Sequence, residues 1–101
     1  MSPTTDIEVK ERKKINVKPP GMYQVIYLND DVTTFDFVVE TLISIFNYNQ
    51  TIAEDMTHKI NNEGSSVVAV LPFEIAEQKG IEVTLLARHA KFPLQVKLQA
   101  E

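Results

Sequence analysis

The feature that most limits how this 101-residue chain can fold is an abrupt change of hydrophobic period across one short corner. Met22-Tyr23-Gln24-Val25-Ile26-Tyr27-Leu28 is rich in β-branched and aromatic residues, the composition of a strand. Further on, Phe35, Val38, Val39, Leu42, Ile45 and Phe46 recur at helical spacing. A strand must therefore hand over to a helix within Asn29-Asp30-Asp31-Val32-Thr33-Thr34. Two carboxylates and a carboxamide gather at that corner, a cluster suited to capturing a cation, with an ammonium group the natural candidate. The same residues are also ordinary turn formers, because Asn and Asp side chains bond nearby backbone and tolerate unusual dihedrals.

The periodicity continues as strand, helix, helix, strand, helix, strand. The first helix is expected from about Thr34, with Thr33 as N-cap and Asp36 in the place of the usual capping-box Glu. Asn47 to Asn49 breaks it, and Asn49 suits the N-cap of the next helix. There Ile52, Met56 and Ile60 form an apolar stripe with Ala53 beside it, and Gly64 suits a left-handed C-terminal stop. Val67-Val68-Ala69-Val70-Leu71 is unbroken apolar sequence, which predicts a buried central strand. Pro72 then opens a third helix to about Ala90, with Ile75, Ala76, Val83, Leu86 and Ala87 facing inward. Gly80 interrupts that helix at a cost of ~1 kcal/mol relative to alanine. Leu94, Val96 and Leu98 alternate with Gln95, Lys97 and Gln99, as in a strand with one buried face. The expected fold is α+β: a two-layer sandwich of a three-stranded antiparallel sheet and three helices, in the order β-α-α-β-α-β.

A chain of this length builds one domain with a single modest core. Residues 21–101 make up that domain. Residues 1–20 contain Lys10-Glu11-Arg12-Lys13-Lys14, few large apolar residues, and the closing step Pro19-Pro20-Gly21, so they are expected to be a flexible tail. A net charge of −4 argues against nucleic acid as the main partner. The absence of cysteine removes disulfides, thiolate metal sites and cysteine nucleophiles, and fits a cytoplasmic protein. No apolar run approaches the ~20 residues of a membrane span. Catalysis finds no support either. The only histidines, His58 and His89, fall on different helices as surface residues, no phosphate-binding glycine loop is present, and no cofactor or metal is implied.

The residues from Pro19 to Val38, with Asn29-Asp30-Asp31 and Thr33 at their centre, resemble the opening of the ClpS family, adaptors of bacterial N-degron proteolysis. The resemblance continues without a gap through Phe46, Ala53, Gly64, Glu74-Ile75-Ala76-Glu77-Gln78-Lys79 and Phe92-Pro93-Leu94. It implies a module that is not an enzyme. Such a module holds a protein's N-terminal Leu, Phe, Tyr or Trp and delivers that protein to a ClpA- or ClpC-like Clp AAA+ ATPase, itself remaining a monomer. It assigns the α-amine to Asn29, Asp30, Asp31 and Asn61, and the apolar pocket to Thr33, Phe35, Val38, Thr57, Ile60 and Leu94. Glu74 and Lys79 would meet the ATPase. The alternative is a diverged module of the same fold that binds a Clp ATPase without recognising free N-termini.

Three positions depart from the family pattern. Thr57 and Asn61 stand where a pocket-lining Met and a His are usual, and Phe35 replaces a gatekeeping Met. Met56 and His58 do not simply substitute for the missing pair, since neighbours in a helix are turned by about 100°. Asn61 keeps a donor and an acceptor, and Thr57 makes a smaller, more polar wall. The departures bear on selectivity and affinity.

Overall fold

A computed structural model describes residues 21–101. The expected tail, residues 1–20, lies outside the described residues. In chain order the elements are β1 (Met22–Leu28), α1 (Phe35–Phe46), α2 (Gln50–Glu63), β2 (Ser65–Pro72), α3 (Phe73–His89) and β3 (Gln95–Ala100). The strands form one antiparallel sheet in the order β2-β1-β3. Among the described residues no helix is long and apolar enough to cross a membrane.

The two-layer sandwich expected from the period changes is present, but its centre differs. The central strand is β1, not the apolar run 67–71, which lies in β2 at an edge of the sheet. Strand pairing steps from Val25↔Ala69 to Ile26↔Val67, so Val68 is an extra, bulged residue. The bulge turns Val68 inward, where it is buried, while Val67 and Val70 remain 41% and 37% exposed on the uncovered face. A continuous apolar run thus marks a bulged edge strand here, with both of its faces apolar for different reasons.

Helix ends follow local chemistry closely. The α1 N-cap is Thr34, whose hydroxyl accepts from the Phe37 N–H, not the expected Thr33. Thr33 is drawn off because its hydroxyl donates to Asp30. Asn47, at φ 63°, closes α1, and the Asn49 side chain accepts the Ile52 N–H to open α2. Gly64, at φ 86°, ends α2, a backbone conformation that glycine adopts without the strain of a Cβ.

Two buried stripes are also rotated from expectation. In α2 the buried line is Ala53, Thr57 and Ile60, while Ile52 is 42% exposed and Met56 half-buried. Small residues win because α2 packs against both α1 and β2, and Ala and Thr allow that close approach. In α3 the buried residues are Ala76, Val83 and Ala87, and Ile75 and Leu86 point outward. Gly80 falls on the same line. A Cβ there would lie 3.6 Å from Val96, so the glycine marks where α3 crosses the sheet.

The core joins Val25, Tyr27, Val38, Val39, Leu42, Ile45, Ile60, Val83 and Leu94. Among the described residues, Tyr27 and Thr41 form a buried polar pair in this core, with 2.8 Å between hydroxyls. The Thr41 hydrogen goes to the Val38 carbonyl, so Tyr27 is the donor. Burial pushes the Tyr27 phenol well above its ordinary range, against the pull of the Thr41 hydrogen bond, and keeps it a neutral donor.

Candidate functional site

Asp30 organises the corner between β1 and α1. One of its oxygens accepts the backbone N–H groups of Val32 at 2.8 Å and Thr33 at 2.7 Å. The other accepts the Thr33 hydroxyl at 2.8 Å. Partial burial works against its charged form. Those three donors and the positive field of Arg88 outweigh that effect and hold the carboxyl below its usual range. The turn-forming reading of this residue is therefore correct in part: Asp30 is the lock of the loop. Asn29 and Asp31 stand exposed on either side of it.

Two further segments close around this corner. The Asn29 N–H donates to the Gly64 carbonyl at 2.8 Å, which ties the end of β1 to the end of α2. That bond brings the last turn of α2, with exposed Asn61, to the corner. On the other flank, the Arg88 guanidinium donates to the Phe92 carbonyl at 3.0 Å and the Leu94 carbonyl at 2.8 Å. The same charge acts on Asp30, so one side chain connects the loop 90–94 with the acidic corner. Phe92 is fixed as well, its ring 5.0 Å from that of Phe37.

The residues that the resemblance assigns to a pocket are mostly core residues. Val38, Ile60 and Leu94 are buried in one cluster, and buried Thr57 donates its hydroxyl to the Ala53 carbonyl at 2.8 Å. With that oxygen satisfied inside its own helix, Thr57 adds only a methyl group to its surroundings. Thr33 and Phe35 are half-buried, and the Phe35 ring packs on the core. Of the residues assigned to the amine, Asn29, Asp31 and Asn61 are exposed and Asp30 is half-buried, whereas Val38, Thr57, Ile60 and Leu94 of the assigned pocket are buried.

Glu74 and Lys79 lie elsewhere. The start of α3 meets the start of β1, where the Tyr23 and Phe73 rings are 4.9 Å apart, whereas the corner follows the far end of β1. Seven strand residues separate the two regions by about 20 Å. Glu74 is exposed. Lys79 is half-buried and donates to the Ile45 carbonyl at 2.9 Å, supplying a cation to the end of α1, whose last turn has no basic residue of its own. An apolar groove of about 270 Å³ beside Gly80, Ile81, Leu85, Val96 and Leu98 contains none of the assigned residues.

Two residues escaped sequence reasoning. Arg88 signals itself only as a basic residue in the last turn of a helix, which gives no hint that it reaches Leu94. His58 reads as a surface histidine, and it is exposed, yet its ring centroid lies 4.8 Å from that of Phe35.

Comparison with known proteins points one way. The family described as ATP-dependent Clp protease adaptor protein ClpS matches residues 18–97. An ATP-dependent Clp protease adapter protein ClpS from Nautilia profundicola is 42% identical over 85 residues, covering 84% of this chain and 88% of that protein. One of the same description from Shewanella loihica is 41% identical and covers 90% of this chain and 89% of that protein. The structure of Agrobacterium tumefaciens ClpS2 bound to L-phenylalaninamide superposes with a TM-score of 0.80 at 35% identity. It covers 82% of this chain and all of that one.

Proposed function

The chain belongs to the ClpS family of Clp protease adaptors, proteins that bind and are not themselves catalysts, and from this we propose that it captures free N-terminal residues of substrate proteins. The proposed ligands are N-terminal Leu, Phe, Tyr and Trp. In this reading Asn29, Asp30, Asp31 and Asn61 form a polar rim and Val38, Thr57, Ile60 and Leu94 the pocket floor; the observation that supports it is the Asn29 N–H bond to the Gly64 carbonyl, which joins the acidic corner to the end of α2 that carries Ile60 and Asn61. The related protein from Agrobacterium tumefaciens adds support, because phenylalaninamide has the free amine and side chain of an N-terminal phenylalanine.

The mechanism is reversible two-point binding. An ammonium bonded to a carboxylate or carboxamide contributes ~1.5–3 kcal/mol. Burying a Leu or Phe side chain contributes a further ~1.5–3 kcal/mol. Either alone is too weak after the cost of association, so the site demands both a free amine and a bulky apolar side chain. The oxygens of Asp30 are already engaged in the loop, so Asn29 and Asp31 make the direct bonds while Asp30 sets their positions and supplies charge. Glu74 and the surface around Lys79, at the opposite end of β1, meet a ClpA- or ClpC-like ATPase, so substrate and ATPase bind at the same time. In this reading the adaptor works as a cytoplasmic monomer, and the ATPase takes up residues 1–20 during delivery.

The test is degradation of a Phe-starting reporter by a Clp ATPase and its peptidase, with the full chain and with residues 2–17 deleted. Degradation should require the full chain. The deleted form should still bind the reporter but fail to deliver it. A reporter destroyed equally fast without the chain contradicts the adaptor role. Equal delivery by both forms removes residues 2–17 from the mechanism.

A further inference from the structure

His58 has no place in the site that the family resemblance assigns, and helical spacing turns it away from Thr57. The structure nevertheless sets its imidazole against Phe35, with ring centroids 4.8 Å apart and planes inclined by 54°. Phe35 is the first residue of α1, one turn before the floor residue Val38. His58 lies one turn before the rim residue Asn61 on α2. The pair therefore bridges the two helices that supply Asn61 of the rim and, in Val38, Thr57 and Ile60, most of the floor.

We infer that the Phe35–His58 ring pair is the mouth of the first-residue pocket, and that His58, as a positioning residue, biases the pocket toward aromatic over aliphatic first residues. The inference rests on the N-terminus reading given above. Phe35 packs on the core along one side, and the imidazole 4.8 Å away further restricts its ring, so that it presents one fixed face and edge. An entering aromatic ring extends the tilted cluster and gains the directional attraction of aromatic pairs, which corresponds to roughly a two- to tenfold gain in affinity. An entering leucine gains only its apolar burial. His58 is exposed, so its replacement leaves the core untouched.

The experiment measures affinities of the full chain for two peptides identical except for an initial Phe or Leu, with an Nα-acetylated Phe peptide as reference. It compares the native chain with His58→Ala and His58→Phe, and records thermal midpoints alongside. The ratio of Phe to Leu affinity should fall roughly two- to tenfold in His58→Ala and be retained in His58→Phe, which keeps a ring. An unchanged ratio in His58→Ala, or an equal fall in His58→Phe, overturns the inference while amine dependence stands. Equal binding of free and acetylated peptides by the native chain overturns the underlying reading and this inference with it.

Discussion

Replacing Asp30 by alanine removes the acceptor of three hydrogen bonds at once, from the Val32 N–H, the Thr33 N–H and the Thr33 hydroxyl. The arrangement is an Asx turn that bonds the N–H groups two and three residues on, as a helix cap does, and loss of a capping acceptor costs ~0.5–2 kcal/mol. Water reaches this part-buried loop and limits the loss, so Asp30→Ala should destabilise the domain by about 1–2 kcal/mol. For a domain of this size, each kcal/mol is worth roughly 4–8 °C in thermal midpoint. Asp30→Asn keeps an oxygen for the two backbone donors and should lose about half as much. The charge also sets a pH dependence. The folded-state carboxyl is held below its unfolded value, so its stabilisation is complete above about pH 4. It is lost as pH falls through the lowered folded value. Thermal melts of the native chain, Asp30→Asn and Asp30→Ala between about pH 2 and pH 7 are the assay. A midpoint unmoved by Asp30→Ala at pH 7 refutes the assignment of Asp30 as the lock of the loop, and leaves amine binding as its only role.

Three further outcomes follow from the packing. Gly80→Ala should stabilise α3 by about 0.5–1 kcal/mol, because the added Cβ meets Val96 at an ordinary 3.6 Å; a lowered midpoint would show that α3 cannot tolerate even this contact with the sheet. Thr57→Met, which would install the family's usual residue, enters space that is already filled and should cost about 1–3 kcal/mol, whereas exposed Asn61→His should leave stability unchanged and tighten amine-dependent binding. A neutral Thr57→Met in thermal melts would mean that α2 has slack beneath it. Arg88→Met removes both bonds to the loop 90–94 and should cost about 1 kcal/mol while weakening peptide binding; calorimetry and anisotropy showing neither change would separate Leu94 from Arg88 control.

The order and type of the elements among the described residues were legible in the sequence, because hydrophobic period and turn chemistry agree at most boundaries. Asn47, Asn49 and Gly64 act where their side-chain or backbone preferences place them. Among the features that were not legible, three have a plain physical reason. An apolar run reads as buried whichever position its strand takes, and only the pairing shows that β1 lies between β2 and β3. The phase of α2 was set by close packing, which favours Ala53 and Thr57 over the more hydrophobic Ile52. The contest between Thr33 and Thr34 for the α1 cap was decided by Asp30, a bond that neighbouring hydroxyls make equally plausible on paper.

The acidic corner could be read as a cation trap or as a turn, and Asp30 shows how one carboxylate fulfils the turn while keeping its charge. The contributions of Arg88 and His58 depend on distances between segments far apart in sequence, which no local pattern encodes.

The most direct test of the account is the affinity of the full chain for one Phe-starting peptide with its amine free and with that amine acetylated. Acetylation removes the ammonium charge and leaves the side chain and the rest of the peptide unchanged. The account predicts binding at least tenfold weaker after acetylation, about 1.4 kcal/mol, because Asn29 and Asp31 lose the partner they hold. Equal affinity for the two peptides would contradict it.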